Sequence, residues 1–258
     1  MREVSKRGQL TIFIITGVVF VVGFLFYFLI RSGYIENLTG GGEINSNSFL
    51  ESCLEERISE AVEIISHQGG NIEPKLYKTF RFANEKESIN ISYLCYNQNY
   101  YDACVNQAPA LITHIESEVK DYISDDVNEC FNSLAENLEK QDYVVEKTYR
   151  GFDVNLDLNT ITVNIDGKLE LTSTEESLIQ DKIGVVITNN LYDLALVAHE
   201  IINSEAEYCT FNKESFMLMY PDIKVELYTL GNGEGIYTVK YRAIDNFFRF
   251  AVRGCIIQ

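Results

Sequence analysis

The stretch "FDVNLDLNTITVNIDGKLELT", residues 152–172, decides how the folded part of this chain is read. Apolar and polar side chains alternate along it: Phe152, Val154 and Leu156, then Ile161, Val163 and Ile165, then Leu169 and Leu171. Successive side chains of a strand point to opposite sides, so this pattern describes half-buried strands and not a helix. Asn159-Thr160 and Asp166-Gly167 mark turns, since Asp-Gly readily takes the backbone a tight hairpin needs. "YVVEKTYR" (143–150) before it and "DKIGVVIT" (181–188) after it also read as strands. So do "IKVELYTL" (223–230) and "GIYTVKYRA" (235–243), which flank the turn "GNGEG", and the apolar end "NFFRFAVRGCII" (246–257) reads as a core strand.

Helical periods occupy the rest. In 48–67 the residues Phe49, Cys53, Leu54, Ile58, Ala61, Ile64 and Ile65 fall at spacings of three and four, with Asn47 or Ser48 as cap and Gly69-Gly70 as the stop. Residues 76–82 and 88–96 read as strands. After Pro109 a long helix over 110–139 carries Leu111, Ile115, Val119, Tyr122, Ile123, Val127, Cys130, Leu134 and Leu138 on one face. Asn189 or Asn190 caps a last helix that runs to 208. The expectation is an α+β domain with helices packed on an antiparallel sheet, mainly helical over 48–141 and β-rich over 142–258.

The first 47 residues read differently. Leu10 to Ile30 holds 21 residues without a charge, long enough at about 1.5 Å each to cross a bilayer. An ordinary signal peptide has an apolar run of about 7–15 residues and a small-residue cleavage site, so 10–31 reads as a retained transmembrane helix. Arg2, Lys6 and Arg7 precede it and only Arg31 follows closely, which places the short N-terminus, 1–9, in the cytoplasm. Residues 32–47 contain three consecutive glycines and read as a linker. The partner this implies is a lipid bilayer, with the C-terminal part on the extracytoplasmic side.

The chain carries 21 basic and 38 acidic residues; without Arg2, Lys6, Arg7, Arg31 and Glu3 the outer part has 17 against 37. That balance excludes nucleic-acid binding, which needs positive charge. Six cysteines, Cys53, Cys95, Cys104, Cys130, Cys209 and Cys255, all follow the apolar run. An even count in an oxidising compartment indicates disulfides, and six cysteines allow 15 pairings. Cys95 and Cys104 form the local candidate; Cys53 and Cys130, each in an apolar helical stripe, are placed to bridge two antiparallel helices. Asn37 and Asn90 open Asn-x-Ser/Thr sequons, the acceptor pattern for glycosylation.

No catalytic, metal or cofactor constellation emerges. "AHEIIN" (198–203) begins like H-E-x-x-H, but Asn203 stands where the second zinc ligand belongs. "GNGEG" lacks the lysine and hydroxyl of a phosphate loop. His67 and His114 read as helix-surface residues, and Asp125, Asp126 and Glu129 as an acidic face with room for a cation. The expectation is a non-enzyme with no cofactor. The one surface feature that stands out is "YNQNYYDAC" (96–104), where Tyr96, Tyr100 and Tyr101 mix flat apolar rings with amides, a composition suited to partner or glycan contact.

"KRGQLTIF" followed by the apolar run resembles the class III signal peptides of archaeal type IV pilin-like proteins. The resemblance matches Lys6, Arg7, Gly8 and Gln9 and covers about 25 residues of 258. It implies cleavage between Gly8 and Gln9, leaving the apolar helix as anchor or filament core. It also implies a cell-surface protein that self-associates or adheres to other surface proteins. Where such pilins usually carry a glutamate near the fifth mature position, this chain has Phe13. Glu51-Ser52-Cys53-Leu54 through Gly70 and the aromatic end at 247–254 are similar to archaeal surface proteins with no assigned activity.

Overall fold

The computed structural model describes residues 45–83, 86–99, 101–173 and 177–254. The expected span 10–31, Gly8, Gln9, Asn37, Tyr100 and Cys255 lie outside the described residues. Among the described residues no helix is long and apolar enough to cross a membrane. In chain order the elements are α1 (Ser46–Gln68), β1 (Tyr77–Phe80), β2 (Ile89–Tyr96), β3 (Val105–Asn106), α2 (Leu111–Glu139), β4 (Val144–Asp157), β5 (Thr160–Thr172), β6 (Ser177–Gln180), β7 (Ile183–Thr188), α3 (Leu191–Tyr208), α4 (Lys213–Met219), β8 (Ile223–Gly231), β9 (Glu234–Tyr241) and β10 (Phe247–Arg253).

Strands β4 and β5 make one long hairpin, paired from Val144 opposite Thr172 to Asp157 opposite Thr160, with a one-residue register shift between Tyr149 and Gly151. It turns at Asn159, whose φ of 59° is the left-handed conformation that asparagine tolerates. Asp166-Gly167 is not a turn: β5 runs straight through it. A Cβ on Gly167 would stand 3.1 Å from the Phe131 ring and 3.1 Å from the Thr148 carbonyl oxygen. The glycine is there to let α2 approach the sheet, a use of glycine that sequence alone confuses with turn formation. On the far side of β5, β7 pairs with its first half and β6 with its second. Phe152, Val154, Leu156, Ile161, Val163, Ile165, Leu169 and Leu171 are buried, while Asp153, Asn155, Asp157, Asn164 and Asp166 on alternate positions face water.

A second sheet runs β1-β2-β10-β9-β8, with β3 added beside β2. It corrects the expectation of a single antiparallel sheet: there are two sheets, and β2 and β10 pair in parallel. The parallel pair joins the segment before residue 141 to the end of the chain, and Ser46–Gln258 forms one compact unit. Three-residue strand-end geometry at Gly231, Asn232 and Gly233, all at positive φ, carries the β8–β9 turn.

Helix α1 buries Leu50, Leu54, Ile58, Ala61, Val62 and Ile65, while Cys53 is exposed and Phe49 and Ile64 are half-buried. Leu54, Ile58, Ala61 and Ile65 of the expected stripe are buried, with Leu50 and Val62 in place of Phe49, Cys53 and Ile64, because spacing fixes the period of a helix and its neighbours fix which flank of the stripe is covered. Helix α2 buries Leu111, Ile115, Val119, Ile123, Val127, Cys130, Phe131, Leu134 and Leu138; Tyr122 lies at the edge. Cys53 bonds to Cys130 with the Cα atoms 6.0 Å apart. Arg57 Nε donates to Asp126 at 3.1 Å and the Ile72 amide to Glu118 at 2.7 Å, so the two helices run antiparallel. Helix α1 ends in Gly69 and Gly70, both at positive φ, and the Gly70 amide closes on the Ile65 carbonyl. A Cβ at Gly69 would stand 3.2 Å from the Arg249 carbonyl oxygen, so the helix end is seated directly on β10.

Candidate functional site

Helices α1 and α3 cover one side of the six-stranded sheet. On that side Phe248 and Phe250 are fully buried, and the Tyr237 hydroxyl donates to Glu205 of α3. Alternation then turns the intervening side chains to the other side. Cross-strand partners share a side, so register groups them in rows. Lys224 stands opposite Lys240; Glu226 opposite Thr238, and Thr238 opposite Arg249. Tyr228, Ile236, Ala251 and Tyr93 form the next row, and Glu234, Arg253 and Tyr96 the last.

Part of this open face is a small apolar core of Ile91, Tyr93, Ile236 and Ala251. The chain leaving β1 brings Phe80 and Phe82 against it, their ring centroids 4.7 Å apart, and Phe80 lies 5.0 Å from the ring of Tyr228. The Arg249 guanidinium rests 3.8 Å from the Phe82 centroid and 4.7 Å from that of Phe247, leaving the residue only 7% exposed. Stacking on ring faces suits arginine, whose planar, weakly hydrated cation loses little on leaving water. Tyr228 by contrast is 53% exposed.

Charges frame the rings. Lys78 Nζ lies 2.6 Å from Glu234, and Arg253 Nε lies 3.9 Å from the other oxygen of the same carboxylate. Arg253 Nη1 donates to the Tyr96 hydroxyl at 3.3 Å. Burial, and then the Glu234 carboxylate, push the Tyr93 phenol well above the ordinary tyrosine range. Glu226 is bridged by Lys224 at 2.5 Å and Lys240 at 3.2 Å. The hydrogen bond from Lys224 leads in holding the Glu226 carboxyl below its usual value. The strand residues of this face thus bear five cations, Lys78, Lys224, Lys240, Arg249 and Arg253, against two carboxylates, Glu226 and Glu234.

The loop 96–104 adjoins this face and is closed by the Cys95–Cys104 disulfide, Cα atoms 5.3 Å apart. Asn97 organises it: its side chain donates to the Ala103 carbonyl at 2.9 Å and accepts from the Asn99 amide at 2.9 Å. Tyr96 packs on Tyr93 with ring centroids 5.2 Å apart and belongs to the sheet face, while Tyr101 is 71% exposed. Asn90 is exposed on β2, and its side-chain oxygen accepts from Thr79 at 2.8 Å. Cys209 is disulfide-bonded.

The three histidines are engaged structurally. His114 Nε2 donates to Asn71 at 2.9 Å, Asn71 donates to the Ser92 hydroxyl at 2.9 Å, and Ser92 donates to the Gln68 carbonyl at 2.6 Å. The Ser92 proton goes to a backbone oxygen, not to a base, so this chain of contacts does not build a nucleophile. His114 and Asn71 also line a cavity of about 430 Å³ at the start of α2, with Glu73, Lys75, Gln107 and Glu118. His199 spans Pro109 O at 3.2 Å and the Asn203 side chain at 3.3 Å, and His67 meets the Glu63 carbonyl at 2.8 Å. Asp126 is paired with Arg57, and among the described residues no group of three His, Cys, Asp or Glu is placed to hold a metal ion.

The sequence reasoning did not single out Phe80, Phe82, Tyr228, Arg249 or Arg253. The available signal was the alternation inside the last strands: Lys224, Glu226 and Tyr228 fall on every second residue, and Arg249 and Arg253, four apart, fall on one side of an otherwise apolar run. Comparisons with protein-family profiles, curated proteins and solved structures return no match for this chain.

Proposed function

We propose that this protein is a non-catalytic binding module. It is held at a membrane by residues 10–31 and presents the open face of its six-stranded sheet on the extracytoplasmic side. The observation that carries the reading is the gathering of exposed Tyr228, the Phe80–Phe82 pair and four solvent-reaching cations, Lys78, Lys224, Lys240 and Arg253, on the sheet face turned away from α1 and α3, with Arg249 buried among the rings. Scattered apolar side chains are ordinary at a surface; rings and charges grouped in register are the composition of a contact site. Two disulfides suit an oxidising compartment, which supports the extracytoplasmic placement.

The test is made on native membranes. A single-pass protein that stays with the membrane at alkaline pH, runs as a monomer, and loses capture of cell-surface material on Tyr228→Ala supports the proposal. Filaments in electron micrographs, with a mature chain beginning at Gln9, overturn it in favour of the pilin-like reading. That second reading rests on Lys6, Arg7, Gly8 and Gln9 directly before the apolar run.

A further inference from the structure

The charge of the open face runs against the rest of the protein. Residues 32–258 carry 17 basic and 37 acidic side chains, yet five of the basic and two of the acidic ones lie on this one face. Lys224 and Lys240 stand directly opposite each other across β8 and β9, a placement of like charges that costs free energy in a sheet. Glu226 lies between them and satisfies one unit of the two. At the other end of the face Glu234 serves both Lys78 and Arg253.

We propose that this face binds an anionic polysaccharide, one bearing carboxylate or sulfate groups along a sugar backbone. The proposal rests on the binding-module reading and names its ligand class. Sugar rings present C–H faces that lie flat on aromatic rings, and Tyr228 beside Phe80 offers such a surface at the edge strand. Lys224 stands four residues along β8 from Tyr228, Lys240 faces it on β9, and Glu226 is the one carboxylate paired with the two. A repeating anion gains from several such contacts at once, and the acidic remainder of the domain repels it everywhere else, which fixes where it docks. A neutral glycan would use the rings and leave the excess lysine charge without purpose. Nucleic acid is disfavoured because the cations occupy one small face of a strongly acidic body.

The experiment uses the full chain in detergent micelles and three immobilised probes: dextran sulfate, polygalacturonate and neutral dextran. The expected result is binding of one or both anionic polymers and none of dextran, weakening steeply from 50 to 300 mM salt as screening shortens (about 8 Å at 0.15 M). The double variant Lys224→Ser/Lys240→Ser is expected to lose at least tenfold in affinity, and Tyr228→Ala several-fold. Lys120→Ser/Arg150→Ser, on α2 and β4 where they pair with Asp153 and Asp166 of the hairpin, is expected to leave binding unchanged. Tyr228 and Arg150 are exposed and Lys120, Lys224 and Lys240 half-buried, and an unaltered thermal midpoint confirms folding of each variant. Equal loss from the control pair overturns the assignment to this face. Binding of neutral dextran that depends on Tyr228 overturns the anionic class and leaves the binding module standing. Failure of every probe, with salt-sensitive self-association abolished by the same lysine pair, replaces the polysaccharide with a second acidic copy of the chain.

Discussion

Breaking the Cys53–Cys130 bond is expected to cost more stability than breaking Cys95–Cys104, and the structure supplies the size of the difference. The first bond closes a loop of 77 residues and the second a loop of 9. In the chain-entropy description a cross-link removes freedom from the unfolded chain in proportion to the logarithm of loop length. The stabilisation is then about 4.5 kcal/mol for the long loop and about 2.6 kcal/mol for the short one at 25 °C. The first figure is a large part of the 5–15 kcal/mol that holds an ordinary domain together. The native packing around each bond does not reverse the order. Cys53 is exposed and Cys130 buried against the helix pair, so Cys53→Ala/Cys130→Ala adds a small cavity to the entropic loss. Cys95 and Cys104 are both buried, and their loss also relaxes the 96–104 loop, but that loop is held independently by Asn97. The assay is guanidinium unfolding of the wild type and the two double variants, followed by far-ultraviolet circular dichroism and tyrosine fluorescence. The 16 tyrosines and absence of tryptophan make the second signal clean. The result that refutes the reasoning is a Cys95→Ala/Cys104→Ala variant as unstable as, or less stable than, the Cys53→Ala/Cys130→Ala variant.

Other expectations follow from buried groups. Burial raises the Glu205 carboxyl, with the Tyr237 hydrogen bond partly opposing it; its stabilisation is therefore complete below the unfolded value of about 4.3 and is lost as pH rises through the folded one. Glu205→Gln keeps an acceptor for Tyr237 and removes the charge, so it is expected to be more stable than wild type at pH 7 and equal to it near pH 4, read from unfolding midpoints across that range. Tyr237→Phe strips the same carboxylate of its donor and is expected to cost about 1–3 kcal/mol at pH 7 in denaturant titrations. Gly167→Ala is expected to cost about 1–3 kcal/mol by overpacking against Phe131, and less in a Phe131→Leu background; additive losses in the double-variant cycle would place the strain elsewhere.

Much of the local structure was legible. Helices α1 and α2 follow from spacings of three and four residues and α3 from its asparagine cap, β4 and β5 from alternation, and β7, β8 and β9 from apolar runs bounded by turn residues. What was misread was what local pattern cannot carry. Gly167 looked like half of a turn because a glycine that admits a neighbouring ring and a glycine that reverses the chain are the same letter. Cys53 and Phe49 were placed inside because their spacing fits a stripe, yet the neighbours of α1 cover Leu50 and Val62 beside the expected Leu54, Ile58, Ala61 and Ile65, and leave Cys53 exposed and Phe49 half-buried. Strand β6 and helix α4 are too short for a period to show. The open sheet face was hidden for another reason. Phe80, Tyr228, Arg249 and Arg253 come from three distant segments, and only strand pairing sets them side by side.

The sequence by itself determined quantities that add along the chain or repeat over a few residues: the period of each element, the excess of acid, the even number of cysteines and the uncharged run at 10–30. Tertiary structure alone decided which elements are neighbours and which sides they share. The parallel pairing of β2 with β10 joins residues more than 150 positions apart, and nothing local requires it. That pairing, with the seating of α1 and α3 on one side only, turns Lys78, Lys224, Lys240, Arg249 and Arg253 to a common face. Periodicity fixes the side of a strand on which a residue lies; which side meets the helices depends on how all the apolar faces of the chain are buried together.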